Sequence, residues 1–448
     1  MKLPLDLQNV RRATVFGMGK SGVAAVRLLA KLGVETHAVN EGAVAVWGGK
    51  DGLEGLLPAD RLHSQDSAAG VFAESDLIVL SPGIPTTHPV LAGALARGVK
   101  LVSEIELAWW FADRVTTVAI TGTNGKTTTT TMIAEALKAR GRKVFCGGNI
   151  GVPYTDMALA LVEGGQFDFA VIEVSSFQLE TIHRFHPRVA LILNVTPNHT
   201  ERYEGLQDYA EAKWRVTRNL GPGDHLVIGD ESGPLLARAL PAGVERHEFN
   251  KQTLPAGFDF DFSRGRLVGA HNRANYYAAW RTLELLGEAD RATFQSFIDT
   301  FPGVPHRLEF VGEWRGLKVY NDAKSTNAQA TQTALEAFPA NGPLHLVVGG
   351  KLRNEGDRLL PELLPYRSRL RTVFTIGETT ERLFQELGPE LPARRAGDVA
   401  TLLRLAREEG LTGNLIFSPA HPSFDQFKNY VDRGETFKRL AREILGAQ

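Results

Sequence analysis

The chain has 448 residues, which at roughly 100–200 residues per domain allows two to four domains with large buried cores. With 50 basic residues against 51 acidic ones the formal net charge is −1, so no global field favours nucleic acid or an anionic membrane and any anion binding must be local. Cys146 is the single cysteine, which excludes an intrachain disulfide framework and a multi-cysteine metal site; with no apolar leader in residues 1–12 and no run long enough to span a bilayer, a cytoplasmic protein without membrane insertion is expected.

Short β-rich runs alternate with helical patterns nearly end to end, which predicts an α/β fold of parallel sheets and crossover helices. Residues 13–16 read as a strand, followed by Gly17-Met18-Gly19-Lys20-Ser21-Gly22 and a helix over 23–32. That glycine spacing fits a dinucleotide loop, but a nicotinamide site wants an acid at the end of the second strand, and Val39-Asn40-Glu41 puts Asn there first. NAD, another phosphate-bearing ligand and a plain turn all stay open on these residues. A strand over 77–80 runs into Ser81-Pro82-Gly83-Ile84-Pro85, either a second wall of that pocket or a turn.

After a seam at residues 103–114, the β-branched run 115–120 leads into Thr121-Gly122-Thr123-Asn124-Gly125-Lys126-Thr127-Thr128 and a helix over 132–140. A strand, a glycine loop and a helix N-terminus are what holds nucleotide phosphates. The glycines let backbone N–H groups face the anion, Lys126 supplies a point charge, and the Thr127 hydroxyl suits Mg²⁺. The loop is a shortened G-x-x-G-K-T variant, because Ile120 stands where the longer pattern has glycine. ATP is the expected ligand.

The strand over 169–173 ends in Glu173, followed by Val174-Ser175, and this acid is placed to complete a Mg²⁺ shell with Thr127. The strand over 189–195 precedes Thr196-Pro197-Asn198-His199, where His199 is either a metal ligand or a polar anchor; Lys213, in a helical stretch over 209–215, reads by composition as a solvated lysine. Strands are also expected at 225–228, 344–348, 372–376 and 414–417. Ala270-His271-Asn272-Arg273-Ala274-Asn275 begins a helix whose asparagines either meet a nucleotide or cap the helix. A Pro/Gly seam at 300–305 precedes Arg307 and Asn321-Asp322-Ala323-Lys324-Ser325-Thr326, which read as nucleotide contacts or surface charge pairs. Near the end, Ser418 to Tyr430, with Ser423 inside it, either offers hydroxyls and a lysine to a carboxylate or simply caps the basic helix that follows.

Taken together, G-M-G-K-S-G at Gly17, S-P-G-I-P at Ser81, T-G-T-N-G-K-T at Thr121, E-V-S-S-F-Q-L-E at Glu173, N-D-A-K-S-T-N at Asn321 and S-P-A-H-P-S-F-D-Q-F-K-N at Ser418 resemble the Mur ligases, in their D-glutamate-adding branch, over essentially the full chain. The T-G-T-N-G-K-T loop alone is shared with folylpolyglutamate synthases; a folylpolyglutamate-type ligase and, on Gly17 to Gly22, an NAD-dependent oxidoreductase are the competing readings.

The resemblance implies three domains: a Rossmann-like domain over 1–104 for a UDP-linked substrate, a P-loop ATPase-like domain over 105–304, and a Rossmann-like domain over 305–448 that binds glutamate and closes on ATP. It implies a monomer that forms an amide by way of an acyl phosphate, with ATP and two Mg²⁺ ions. Gly122, Thr123, Asn124, Gly125, Lys126, Thr127, Thr128, Asn272, Asn275, Arg307, Asp322 and Lys324 would serve ATP. Thr127 and Glu173 would hold one ion, and His199 with a carbamylated Lys213 the other. Ser21, Asn40 and Asn149 would bind the UDP substrate, Thr326, Arg353, Ser423 and Tyr430 the glutamate, and Gly83 and Ser175 would be further substrate contacts. Arg353 stands where relatives carry lysine, Asn40 where many carry Asp, and Tyr430 where Phe is common.

Overall fold

The computed structural model describes residues 4–48, 53, 55–197, 202–267, 269–338, 343–352 and 358–446. Its strands form three sheets. The first joins β1 (Arg12–Phe16), β2 (Glu35–Asn40), β3 (Leu62–Ser64), β4 (Leu77–Leu80) and β5 (Lys100–Ser103) in the order β3-β2-β1-β4-β5. The second holds β6 (Thr116–Thr121), β7 (Val144–Gly148), β8 (Phe169–Glu173), β9 (Val189–Ile192), β10 (His225–Gly229) and β11 (Glu245–Phe249) in the order β11-β10-β9-β6-β8-β7.

The third sheet comprises β12 (Glu309–Trp314), β13 (Leu317–Asn321), β14 (Leu344–Gly349), β15 (Leu370–Ile376), β16 (Ala393–Gly397) and β17 (Gly413–Phe417), ordered β12-β13-β17-β14-β15-β16. Every pairing in the first two sheets is parallel, and central strands such as β8 and β14 are buried along their whole length, the pattern of a sheet covered on both faces.

One pairing departs from the expected parallel order: β12 and β13 are antiparallel. Only Arg315 and Gly316 connect Trp314 to Leu317, and both have positive φ, 51° and 82°. Two such residues make a tight turn that reverses the chain, so a crossover is impossible there.

The chain divides into two compact units, Met1–Asp259 with Ala274–Phe294, and Phe260–Arg273 with Gln295–Gln448. The first two sheets share one unit, and the seam expected at 103–114 falls at their junction. It is the helix Glu104–Ala112, capped by Ser103 and buried at all nine positions. Trp109, Trp110 and Phe111 join Leu28 and Leu29 from the first sheet's helix and Tyr154 and Met157 from the second sheet's helix in one apolar core. Each such side chain removed from water contributes roughly 1.5–3 kcal/mol.

Two acids on that helix bond to backbone of the second sheet's segment. The Glu106 carboxylate accepts from the N–H groups of His183, Arg184 and Phe185 and from Trp110 Nε1. Glu104 Oε1 accepts from the N–H and hydroxyl of Thr155. Burial pushes the Glu104 carboxyl up to about 7, and its Oε2 is buried with no hydrogen-bond partner among the described residues.

Candidate active site

β6 sits between β9 and β8, so the loops leaving all three strands converge at one end of the second sheet. The helix Lys126–Ala139 starts directly from the glycine loop, with Gly125 at its N-cap at φ 81°. A Cβ there would meet the Asn275 Oδ1 at 2.6 Å, so the position accepts glycine alone without displacement of that asparagine. Asn275 thereby borders the loop.

The loop's N–H groups do not all face outward as the sequence pattern suggests. Asn194 Oδ1, from the end of β9, accepts from Thr123 N at 3.1 Å and Asn124 N at 2.8 Å, and Asn194 Nδ2 donates to Asn124 O. Thr196 N donates in turn to the Thr123 hydroxyl. A helix's first-turn N–H groups have no intrahelical carbonyl to meet, so the start of the helix Lys126–Ala139, rather than Thr123 and Asn124, is where an anion would meet backbone donors. Asn194 was not among the expected site residues. Its adjacency to the loop follows from β9 lying beside β6, which no local pattern encodes.

Around this turn the side chains form one connected cluster. Lys126 Nζ donates to Gly122 O at 2.8 Å and Thr123 O at 2.9 Å. Thr127 Oγ1 donates to Glu173 Oε2 at 2.8 Å, and Asn149 Nδ2 to Glu173 Oε1 at 2.9 Å. Lys213, solvated by composition, is 1% exposed; its Nζ donates to Gly122 O at 2.9 Å and lies 4.3 Å from the Tyr209 ring centre. Burial, then the charge of Lys126, hold the Lys213 amine well below the ordinary lysine range, with Glu173 opposing. His199 lies outside the described residues.

In the first sheet the Ser81 turn packs on the glycine loop. Ser81 Oγ, after β4, donates to Gly17 O at 2.6 Å, and Asn40 Oδ1, ending β2, accepts from Met18 N at 2.8 Å. Both side chains clamp the glycine loop. A Cβ on Gly22 would fall 1.9 Å from Gly17 O, so that loop can close only on glycine. Ser21 is half-buried in the first turn of the helix Lys20–Lys31, and Gly83 and Asn149 are exposed. Ser175 is occupied as a helix cap, in a reciprocal capping box with Gln178.

In the second unit, Asp322 is buried at the end of β13; its carboxylate accepts from the Ser418 hydroxyl at 2.7 Å and from Leu308 N, and burial pushes it up to about 7. Lys324 Nζ lies 5.8 Å from the Tyr430 ring centre, Ser423 is buried and Arg307 exposed. Thr326 lines a cavity of about 270 Å³ together with Arg358, Thr379, Arg382 and His421. Arg433, unmarked in the sequence beyond a basic run, is buried and donates to His421 O and Ala323 O, tying the two strand-end loops together. Asn272 is buried in the first turn of the helix Ala270–Leu285, not at its cap. Arg353 lies outside the described residues.

Family profiles match two stretches: the Mur ligase middle domain over residues 120–282 and the Mur ligase MurD-like N-terminal domain over residues 11–103. The UDP-N-acetylmuramoylalanine–D-glutamate ligase of Anaeromyxobacter dehalogenans is 38% identical, over 96% of this chain and 97% of its own. The chain belongs to the Mur ligase family. A second D-glutamate ligase, from Myxococcus xanthus, is 36% identical over 99% of this Mur ligase and 100% of its own length. Among solved structures, the MurF ligase of Thermotoga maritima, in complex with ADP, has a TM-score of 0.55 at 17% identity over 98% of this chain and 96% of its own. The UDP-N-acetylmuramate–alanine ligase MurC of the same organism has a TM-score of 0.54 at 17% identity, over 97% and 100%. At that identity the likeness concerns the fold, and this Mur ligase has the α/β architecture of its neighbours.

Proposed function

We infer that this Mur ligase joins D-glutamate to UDP-N-acetylmuramoyl-L-alanine at the expense of ATP, in peptidoglycan precursor synthesis. The observation that carries the reading is the cluster of Lys126, Thr127 and Glu173 at the start of the helix Lys126–Ala139, in a chain whose D-glutamate ligase relatives match it end to end. The first sheet's clamped glycine loop takes the UDP substrate with Ser21, Asn40 and Gly83, and Asn149 and Ser175 are further substrate contacts from the second sheet. The phosphate loop takes ATP, with Asn275 beside it and Asn272, Arg307, Asp322 and Lys324 as further contacts. Thr326, Arg353, Ser423 and Tyr430 take the glutamate.

The muramoyl-alanine carboxylate attacks the γ-phosphate of ATP, ADP leaves, and an acyl phosphate forms; the glutamate amine then attacks the acyl carbon and phosphate departs. Lys126 neutralises charge that builds on the phosphate oxygens, as do the first-turn N–H groups. The hydroxyl of Thr127 and the carboxylate of Glu173, hard oxygen donors beside a phosphate site, fit Mg²⁺, which would add charge neutralisation there.

The depressed Lys213 supports a carbamate: a neutral amine adds CO₂, loses one proton and becomes an anionic oxygen ligand, with His199 as its partner for a second ion. No helix among the described residues is long and apolar enough to cross a membrane, and we place the enzyme in the cytoplasm with its nucleotide substrates.

Phosphate release from ATP with UDP-N-acetylmuramoyl-L-alanine, Mg²⁺ and either D- or L-glutamate tests the reading. Release with D-glutamate and a product heavier by one glutamyl residue is expected; release without incorporation would overturn the acceptor, and no release would overturn the ligase assignment.

A further inference from the structure

β10 and β11 lie at the edge of the second sheet in parallel register, with His225 opposite Glu245 and Val227 opposite His247. A strand alternates its side chains, so Glu245 and His247 share one face. There the three side chains converge. His247 Nε2 is 3.3 Å from His225 Nδ1, and Glu245 Oε2 is 3.5 Å from His225 Nδ1 and 3.7 Å from His247 Nε2.

Those separations are informative. Three donor atoms on a tetrahedron with bonds of about 2.0–2.2 Å stand about 3.3–3.6 Å apart. A triangle with sides of 3.3, 3.5 and 3.7 Å has a circumradius of about 2.0 Å, so one point lies at a zinc–nitrogen distance from all three atoms. At 3.5 and 3.7 Å the carboxylate is beyond a good hydrogen bond to either ring, so such a bond does not account for its position.

We propose that His225, Glu245 and His247 form a binding site for a divalent transition-metal cation of the zinc class. Two imidazoles and one carboxylate suit zinc, cobalt or nickel, whereas Mg²⁺ and Ca²⁺ take oxygen donors. Three protein ligands leave a fourth position for water, and the cation would clip the edge strand β11 to β10. Both histidine side chains are 12% exposed and Glu245 is 66% exposed, so the ion has a route in. Burial holds both imidazoles below the ordinary histidine range, hence in the neutral, ligating form.

The surroundings determine the proton positions. Arg281 Nη2 donates to His247 Nδ1 at 3.0 Å, so in the metal-free state His247 carries its proton on Nε2 and donates it to His225 Nδ1. Metal at Nε2 requires the proton on Nδ1. Arg281 must then withdraw, and its Nη1 already donates to Glu284 Oε2 at 2.9 Å.

The test uses the full chain stripped with a chelator and titrated with Co²⁺, whose tetrahedral complexes absorb in the visible. One equivalent is expected to develop ligand-field bands that Zn²⁺ abolishes and excess Mg²⁺ leaves alone. His225→Gln and His247→Gln are expected to weaken binding by at least about tenfold, no less than the loss of a ligand's supporting partner does. Absence of the bands in the natural chain, or the same bands in the double variant, would overturn the site. Should either histidine variant fail to fold by circular dichroism, Glu245→Gln at its exposed position decides. Loss of the Zn²⁺-induced rise in melting temperature supports the site, and an undiminished rise refutes it.

Discussion

Replacing Glu104 by Gln should make the protein more stable as pH rises, by an amount the structure sets. The carboxyl is fully buried, Asp156 adds a like charge, and the bonds from Thr155 do not compensate, so its folded value is about 7 against an ordinary 4.5. A group whose folded value lies above its unfolded one holds extra protons when folded. Its contribution is therefore fully present below about pH 4.5 and is lost as pH rises through about 7. The gap of about 2.5 pH units at 1.36 kcal/mol each is roughly 3 kcal/mol.

The amide keeps the one oxygen that Thr155 uses and cannot ionise. Urea unfolding of both proteins between about pH 5 and pH 8, followed by tryptophan fluorescence from Trp109 and Trp110 beside the site, should give midpoints that nearly coincide at the acid end. The variant should gain steadily towards the alkaline end. Parallel curves, or a variant that loses ground with rising pH, would refute the claim that this carboxyl is held protonated by burial.

Lys126→Ala should lower ATP turnover by about a hundredfold or more with the circular dichroism spectrum unchanged, because the side chain bonds loop carbonyls and not a core and, in the proposed function, neutralises the phosphates; a natural rate would remove that role. Lys213→Ala should largely abolish activity, and short carboxylic acids should restore part of it; full activity in the variant, or no restoration by any acid, counts against the carbamate. Glu106→Gln should destabilise by roughly 3 kcal/mol, since an amide nitrogen would face backbone N–H donors at two or more of the present bonds, and a change below about 1 kcal/mol in urea unfolding would show those bonds to be dispensable. Gly125→Ala should raise KM for ATP, the left-handed backbone alone costing about 1–2 kcal/mol, and an unchanged KM would mean that Asn275 yields freely.

The phosphate loop was legible because its whole apparatus is contiguous: strand, glycines, Lys126, Thr127 and helix follow one another in ten or so residues. Glu173 was legible at one remove, as an acid closing an apolar strand. What the pattern could not reveal depends on which strands become neighbours. Asn194 clamps the loop only because β9 lies beside β6, and Lys213 is buried only because its helix packs over Gly122. The antiparallel β12 was missed although Arg315-Gly316 is a recognisable two-residue turn, because one such dipeptide is weak against a chain-long parallel pattern. The burial of Glu104 and Glu106 on the helix Glu104–Ala112 was likewise illegible, because only the backbone donors of residues 183–185 and Thr155 account for it.

That helix also governs how the protein can be taken apart. A fragment cut after residue 113 would carry Trp109, Trp110 and Phe111 without Tyr154 and Met157 to cover them, and Glu104 and Glu106 without their backbone donors. The first sheet expressed alone should therefore precipitate or refold poorly, whereas a piece spanning both sheets should remain soluble, so the smallest portable part of this enzyme that contains the first sheet contains the second as well.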